Sequence, residues 1–92
     1  METETSTAYK YITRKTSSQE PIIQGTRIFV RDIVENWKMG MSPEEIFATY
    51  NHLLLSQVFE ALAYYQDNKE EIENFIEQNK VPEPLRGTTL SR

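Results

Sequence analysis

The chain has 92 residues, 38% of them hydrophobic, and a formal net charge of −4. A domain this short buries only about 60 to 65% of the surface its unfolded form exposes, so its core is modest and self-association would add stability. It contains no cysteine, which excludes disulfides and thiolate metal sites, and no apolar run approaches the roughly 18 residues of a membrane span.

The polar, acidic start Met1–Thr7 lacks the basic and then apolar pattern of a secretion signal, so a cytoplasmic protein with no membrane partner is expected. Charge is unevenly distributed. Between residues 9 and 40, Lys10, Arg14, Lys15, Arg27, Arg31 and Lys38 stand against Glu20, Asp32 and Glu35, a balance of +3. Between 41 and 80, Lys69 and Lys80 stand against eight carboxylates, a balance of −6. The first half could face phosphates and the second would be repelled by them.

In chain order, residues 1–8 are expected to be mobile, and residues 9–80 to form one domain. Tyr9 to Lys15 alternates aromatic and β-branched residues with polar ones, the pattern of a short edge strand. After the polar loop Thr16 to Glu20, the segment Pro21 to Val30 reads as two brief extended pieces around a turn at Gly25. From Val30 the period becomes helical: Val30, Ile33, Val34 and Trp37 share one face, with Trp37 expected to be buried, and Gly40 ends the helix. Ser42-Pro43-Glu44-Glu45 then supplies a capping hydroxyl, a proline at the first helical position and a carboxylate at the third. That helix is short, with Ile46, Phe47 and Tyr50 apolar, and stops at Asn51-His52. A longer helix from Leu54 to Asp67 sets Leu55, Val58, Phe59, Ala61, Leu62 and Tyr65 three or four apart. A last helix, Glu70 to about Asn79, carries Ile72, Phe75 and Ile76 on one face. Pro82 and Pro84 end regular structure, leaving 81–92 as a mobile tail. The expected fold is mainly α with short N-terminal β-strands, about four helices, and a helix-turn-helix formed by the second and third.

Ile23-Gln24-Gly25-Thr26-Arg27-Ile28, Val30, Asp32-Ile33-Val34-Glu35, Gly40-Met41-Ser42, Glu45-Ile46, Tyr50, Val58 and Ala61-Leu62-Ala63-Tyr64-Tyr65 resemble the small bacterial "domain of unknown function 433" family. The likeness covers about residues 10–78. It implies a winged-helix-like, strand-decorated helix-turn-helix that often dimerises, and membership among antitoxin-like proteins that pair with a toxin and bind operator DNA. Two positions depart from the family pattern. Tyr50-Asn51-His52-Leu53-Leu54 replaces Tyr-Pro-x-Leu-Thr, so Leu54 stands where a capping hydroxyl is usual, unless Ser56 caps one turn later, at a cost of about 1 kcal/mol. Gln19 stands where a glycine often occurs, which puts the path of the first loop in question.

For DNA binding, Asn51, Ser56, Gln57 and Glu60 at the start of the longer helix would approach base edges, with Gln57 suited to adenine and Glu60 to cytosine. None is cationic, so phosphate contacts would fall to Lys10, Arg14, Lys15, Arg27, Arg31 and Lys38. An internal ion pair with Asp32 or Glu35 is the competing role for Arg27. Tyr9, Tyr11, Tyr64, Tyr65, Ile72, Phe75 and Ile76 form the expected dimer or toxin interface, because with Phe59 they spread over more faces than a small core hides; one crowded core is the alternative. Catalysis finds no support, since His52 is the lone histidine, and no metal, cofactor or small-molecule substrate is expected. Glu70, Glu71, Glu73 and Glu77 favour a helix dipole and solubility. Two functions follow: a homodimeric, antitoxin-like DNA-binding regulator, or a protein-interaction module that uses its C-terminal helices without binding DNA.

Overall fold

The alternating pattern gives way to helical spacing at Val30, and the fold divides there. The computed structural model describes residues 4–15 and 19–80, with the side chains of 4–6 and 15 outside that description. Its elements are β1 (Glu4–Ser6), β2 (Ile12–Lys15), β3 (Pro21–Ile23), α1 (Val30–Lys38), α2 (Pro43–Thr49), α3 (Leu55–Asp67) and α4 (Lys69–Gln78). The strands form one antiparallel sheet in the order β1-β2-β3, with Thr5 opposite Arg14 and Ile12 opposite Ile23. The architecture is mainly α, with four helices and an N-terminal sheet. The expected tail, 81–92, lies outside the described residues.

At the N-terminus the structure adds one strand and shortens another. Within the stretch expected to be mobile, Glu4–Ser6 forms β1, which satisfies the outer ladder groups of β2. The strand expected over 9–15 is shorter, because Lys10 and Tyr11 lie in a turn. Their amides donate instead to the Glu60 carboxylate of α3, the Lys10 bond being 3.0 Å, so the sheet loses those donors. Thr7 closes the same turn by donating its hydroxyl to the Ile12 carbonyl at 2.6 Å.

The helix boundaries follow the local chemistry. Ser42 Oγ accepts from the Glu45 amide at 3.1 Å while the Glu45 carboxylate accepts from the Ser42 amide at 2.7 Å, a complete capping box. Gly40, at φ +102°, reverses the chain after α1. Leu54 begins α3 without a side-chain cap, and Gln57 Oε1 accepts the Leu54 amide at 2.7 Å; Ser56 does not cap. α2 and α3, joined through 50–54, make the expected two-helix elbow.

α1 is the central element, touching α2, α3, α4 and β3. Val30, Ile33 and Val34 are fully buried among Ile12, Ile23, Ile46, Val58, Ala61, Tyr64, Tyr65 and Ile72. Trp37 is not buried as expected but 40% exposed, because Tyr65 fills the interior at that level and Trp37 packs edge-on against it, centroids 6.2 Å apart.

Gln19 has φ +63°, a left-handed conformation that glycine adopts without penalty. Its carbonyl accepts from Arg14 Nη1 at 3.0 Å, a bond that needs no side chain at 19. Gln19→Gly is therefore expected to raise stability by about 0.5 kcal/mol, the left-handed cost of about 1 kcal/mol less the chain entropy of glycine. Urea unfolding measures it, and a loss of stability would show that the loop does not require this backbone conformation.

Candidate interaction surface

Three of the six cations expected to meet phosphates are engaged within the chain. Arg14, on β2, forms an ion pair with Glu71 of α4 and donates to the Tyr64 hydroxyl, which in turn donates to Glu71 at 2.8 Å. Arg31 Nε donates to Glu20 at 2.6 Å, with the two side chains only 15% and 7% exposed, and its guanidinium lies 4.8 Å from the Phe29 ring centroid. Lys38 Nζ meets Glu73 at 2.6 Å, and Glu73 also accepts from the Tyr65 hydroxyl at 2.5 Å. The Lys38 contact, followed by that of Tyr65, lowers the Glu73 pKa from its ordinary value.

The remaining cations divide. The Lys15 side chain lies outside the described residues. Lys10 is exposed, its ammonium 5.2 Å from the Tyr11 ring centroid. Arg27 is exposed in the turn after Gly25, and among the described residues it has no ion-pair partner. Asp32 serves the Phe29 amide at 3.0 Å and Arg31 instead, so the bracing role considered for Arg27 is not observed.

The residues expected at base edges are partly engaged too. Glu60 holds the Lys10–Tyr11 turn and Gln57 holds the start of α3, which leaves Ser56 and the turn residue Asn51 exposed. His52 is an exposed turn residue. Of the acidic residues expected on a solvated face, Glu71 and Glu73 brace the fold. Among the described residues no group of three His, Asp or Glu side chains could hold a metal, and no described helix is long and apolar enough to cross a membrane. An open cleft of about 530 Å³ between α1, α4 and Tyr50 has mixed charge, including Asp32, Glu35, Lys38 and Glu73.

The apolar residues expected at an interface lie mostly inside. Tyr64, Tyr65, Ile72 and Ile76 are core residues, and Phe75 is half-buried. Tyr9 stacks edge-on against Tyr64, centroids 5.0 Å apart, and donates its hydroxyl to Asp67; Tyr11 is half-buried under Lys10. The crowded-core alternative holds for this set, because α4 packs against α1 and closes the interior. The exposed surplus lies elsewhere: Trp37 at 40% and Met39 at 75% at the end of α1, and Phe47 at 40%, Leu54 at 54% and Phe59 at 48% on the α2–α3 elbow. A signal for it was present. Val58, Ala61 and Tyr65 define the inward line of α3, and Phe59 is one residue, about 100°, away from it. Leu55, Phe59, Ala63 and Gln66, at spacings of four, four and three, then share the outer face with Ser56. The two charged residues of α3, Glu60 and Asp67, bind the Tyr9–Tyr11 turn, so this outer face is uncharged.

Two measurements follow from these contacts. Arg31→Ala is expected to cost about 3 kcal/mol by removing the charge beside nearly buried Glu20, while Arg27→Ala stays within about 0.5 kcal/mol; equal costs would contradict the division between them. Burial, then the Glu71 contact, raises the Tyr64 pKa well above the ordinary 10.0. A phenol with a raised folded-state pKa stabilises fully below the ordinary value and loses that contribution as pH rises through the folded one. Thermal unfolding is accordingly expected to show stability falling above pH 10.0, with a shallower fall in Tyr64→Phe; identical alkaline limbs would refute it.

No curated protein and no solved structure matches the chain. Residues 11–65 match the family described as Protein of unknown function (DUF433), a span that takes in the sheet strands β2 and β3, α1, α2 and most of α3, and stops short of α4 with its two bracing carboxylates. The match covers more than half of the chain, and the chain belongs to that family.

Proposed function

We propose that this chain is a protein-interaction module whose helix-turn-helix serves as scaffold and whose contact surface is the outer side of the α2–α3 elbow. The observation that carries the reading is the uncharged outer face of α3, with Leu54 and Phe59 about half exposed, in a chain where a quarter of all residues are charged. Leu54 adds to it: a leucine where a capping hydroxyl would stabilise α3 by about 1 kcal/mol, yet exposed, sacrifices local stability for apolar surface. Without that surface, solvent would select a polar residue there. The antitoxin-like role implied by the resemblance belongs to this reading, with a toxin as one protein partner.

A second reading, an operator-binding regulator, is favoured by one observation: Arg27 is exposed and has no ion-pair partner among the described residues. In that reading the strands act as a wing, and Lys10 and Arg27 meet phosphates. The engaged state of Arg14, Arg31 and Lys38 favours the first reading, since phosphate neutralisation dominates affinity for DNA.

Sedimentation of the chain alone and with the product of its neighbouring gene, alongside retention of duplex DNA at low salt, separates the two. Phe59→Ser is expected to abolish protein assembly in at least one of the first two settings, whereas Arg27→Ala leaves it intact. Assembly indifferent to Phe59, together with DNA retention lost in Arg27→Ala, would overturn the first reading in favour of the second.

A further inference from the structure

We infer that the open cleft between α1, α4 and Tyr50 is a binding site for a guanidinium group on a short aliphatic stem, held by the carboxylate of Glu35 and the side-chain carbonyl of Asn36. The inference does not rest on the protein-interaction reading, because Phe47, Leu54 and Phe59 of the elbow do not line the cleft. At about 530 Å³ the cleft falls within the roughly 300 to 1,000 Å³ typical of small-ligand sites. Its walls carry the carboxylates of Asp32, Glu35 and Glu73 against the ammonium groups of Lys38 and Lys80, while Met39, Tyr50 and Ile76 supply apolar surface.

The pairing of these polar groups decides what the cleft lacks. Asp32 accepts from the Phe29 amide at 3.0 Å and faces the Arg31 guanidinium, and Glu73 is held by Lys38 and the Tyr65 hydroxyl. Glu35, half-buried on α1, has neither an ion pair nor a side-chain hydrogen bond among the described residues. Asn36 Nδ2 donates to the Asp32 carbonyl and to the Tyr50 hydroxyl, each at 3.0 Å, which uses both amide hydrogens. Its Oδ1 is left as an acceptor without a partner among the described residues.

What is missing is positive charge that brings several donors. A guanidinium meets a carboxylate through two parallel N–H bonds, keeps further hydrogens for Asn36 Oδ1, and presents a flat face suited to the Tyr50 ring. An ammonium offers a point charge without that fork. An anion would face three carboxylates, with Lys38 held by Glu73 and Lys80 by Glu77. An uncharged apolar molecule would cover Glu35 and leave its charge unpaired. The aliphatic stem follows from Ile76, nearly buried on α4, and from Met39, which is 75% exposed and whose unbranched thioether adapts to an apolar neighbour. One charge-assisted pair in an open cleft supports a dissociation constant of about 1 mM for so small a ligand.

Titration of the isotope-labelled full chain with n-butylguanidinium chloride, against matched sodium chloride, tests the site by nuclear magnetic resonance. Saturable shifts are expected at the Asn36 side-chain amide and at Met39. n-Butylammonium is expected to bind about fivefold more weakly, and n-butylurea, of the same shape but uncharged, not to saturate. Glu35→Gln should weaken binding about tenfold. Glu70→Gln, which removes the same charge from the far end of α4, and Phe59→Ser on the elbow should leave it unchanged; far-ultraviolet dichroism verifies that each variant folds. A blocked Ala-Arg-Ala peptide that binds more tightly than n-butylguanidinium assigns the site to an arginine side chain, and one that binds more weakly assigns it to a free guanidinium compound. Shifts that do not saturate, n-butylammonium or n-butylurea binding as well as the guanidinium, Glu35→Gln as harmless as Glu70→Gln, or binding lost in Phe59→Ser would each overturn the inference.

Discussion

Tyr64 is almost fully buried, and its phenol carries a hydroxyl that needs hydrogen-bond partners there. The fold answers with Arg14 and Glu71, which come from β2 and α4 and meet at that oxygen. One buried hydroxyl thus ties the sheet to both C-terminal helices. Tyr9 packs on the same ring and reaches Asp67, while Glu60, two turns before Asp67, binds the adjacent backbone amides. Around this knot, among the described residues, every buried side-chain nitrogen and oxygen has a partner.

The same contacts explain why opposite charges in the two halves of the chain do not simply become two opposed surfaces. The basic N-terminal half folds against the acidic helices, so Arg14 meets Glu71 and Lys38 meets Glu73, while Arg31 finds Glu20 near the sheet. An exposed pair such as Lys38 with Glu73 contributes little stability on its own. Their main effect is on function: cations held by carboxylates are poor ligands for phosphate, and carboxylates held by the sheet turn leave α3 with an uncharged outer face. Internal neutralisation and the apolar elbow surface are two outcomes of one packing arrangement.

Local chemistry made much of this fold legible. The Ser42 capping box, the Gly40 reversal, the Gly25 turn and the four helices are each encoded within a few residues, because hydrogen bonds at a helix end depend on near neighbours. The interface was less legible for a physical reason. Periodicity shows that α3 is apolar on more than one side, but not which side meets α1. Once Val58, Ala61 and Tyr65 turn inward, Phe59 is left outside; α4 packs its own Ile72 into the interior, which also holds Tyr64 and Tyr65, and all three are removed from any partner's reach.

The amino-acid sequence by itself determined the class of structure, the order and ends of the helices, the family, and the absence of thiol chemistry, since all of these rest on residue type and short-range spacing. Only the tertiary structure decided which cations are occupied, that Lys10 and Tyr11 leave the ladder to bind Glu60, and that Trp37 and Phe59 face outward. Those outcomes depend on pairs separated by 11 to 57 residues in the chain, from Arg31 with Glu20 to Arg14 with Glu71. No local pattern encodes such a meeting; it exists only after the helices have packed and the buried polar groups have found partners.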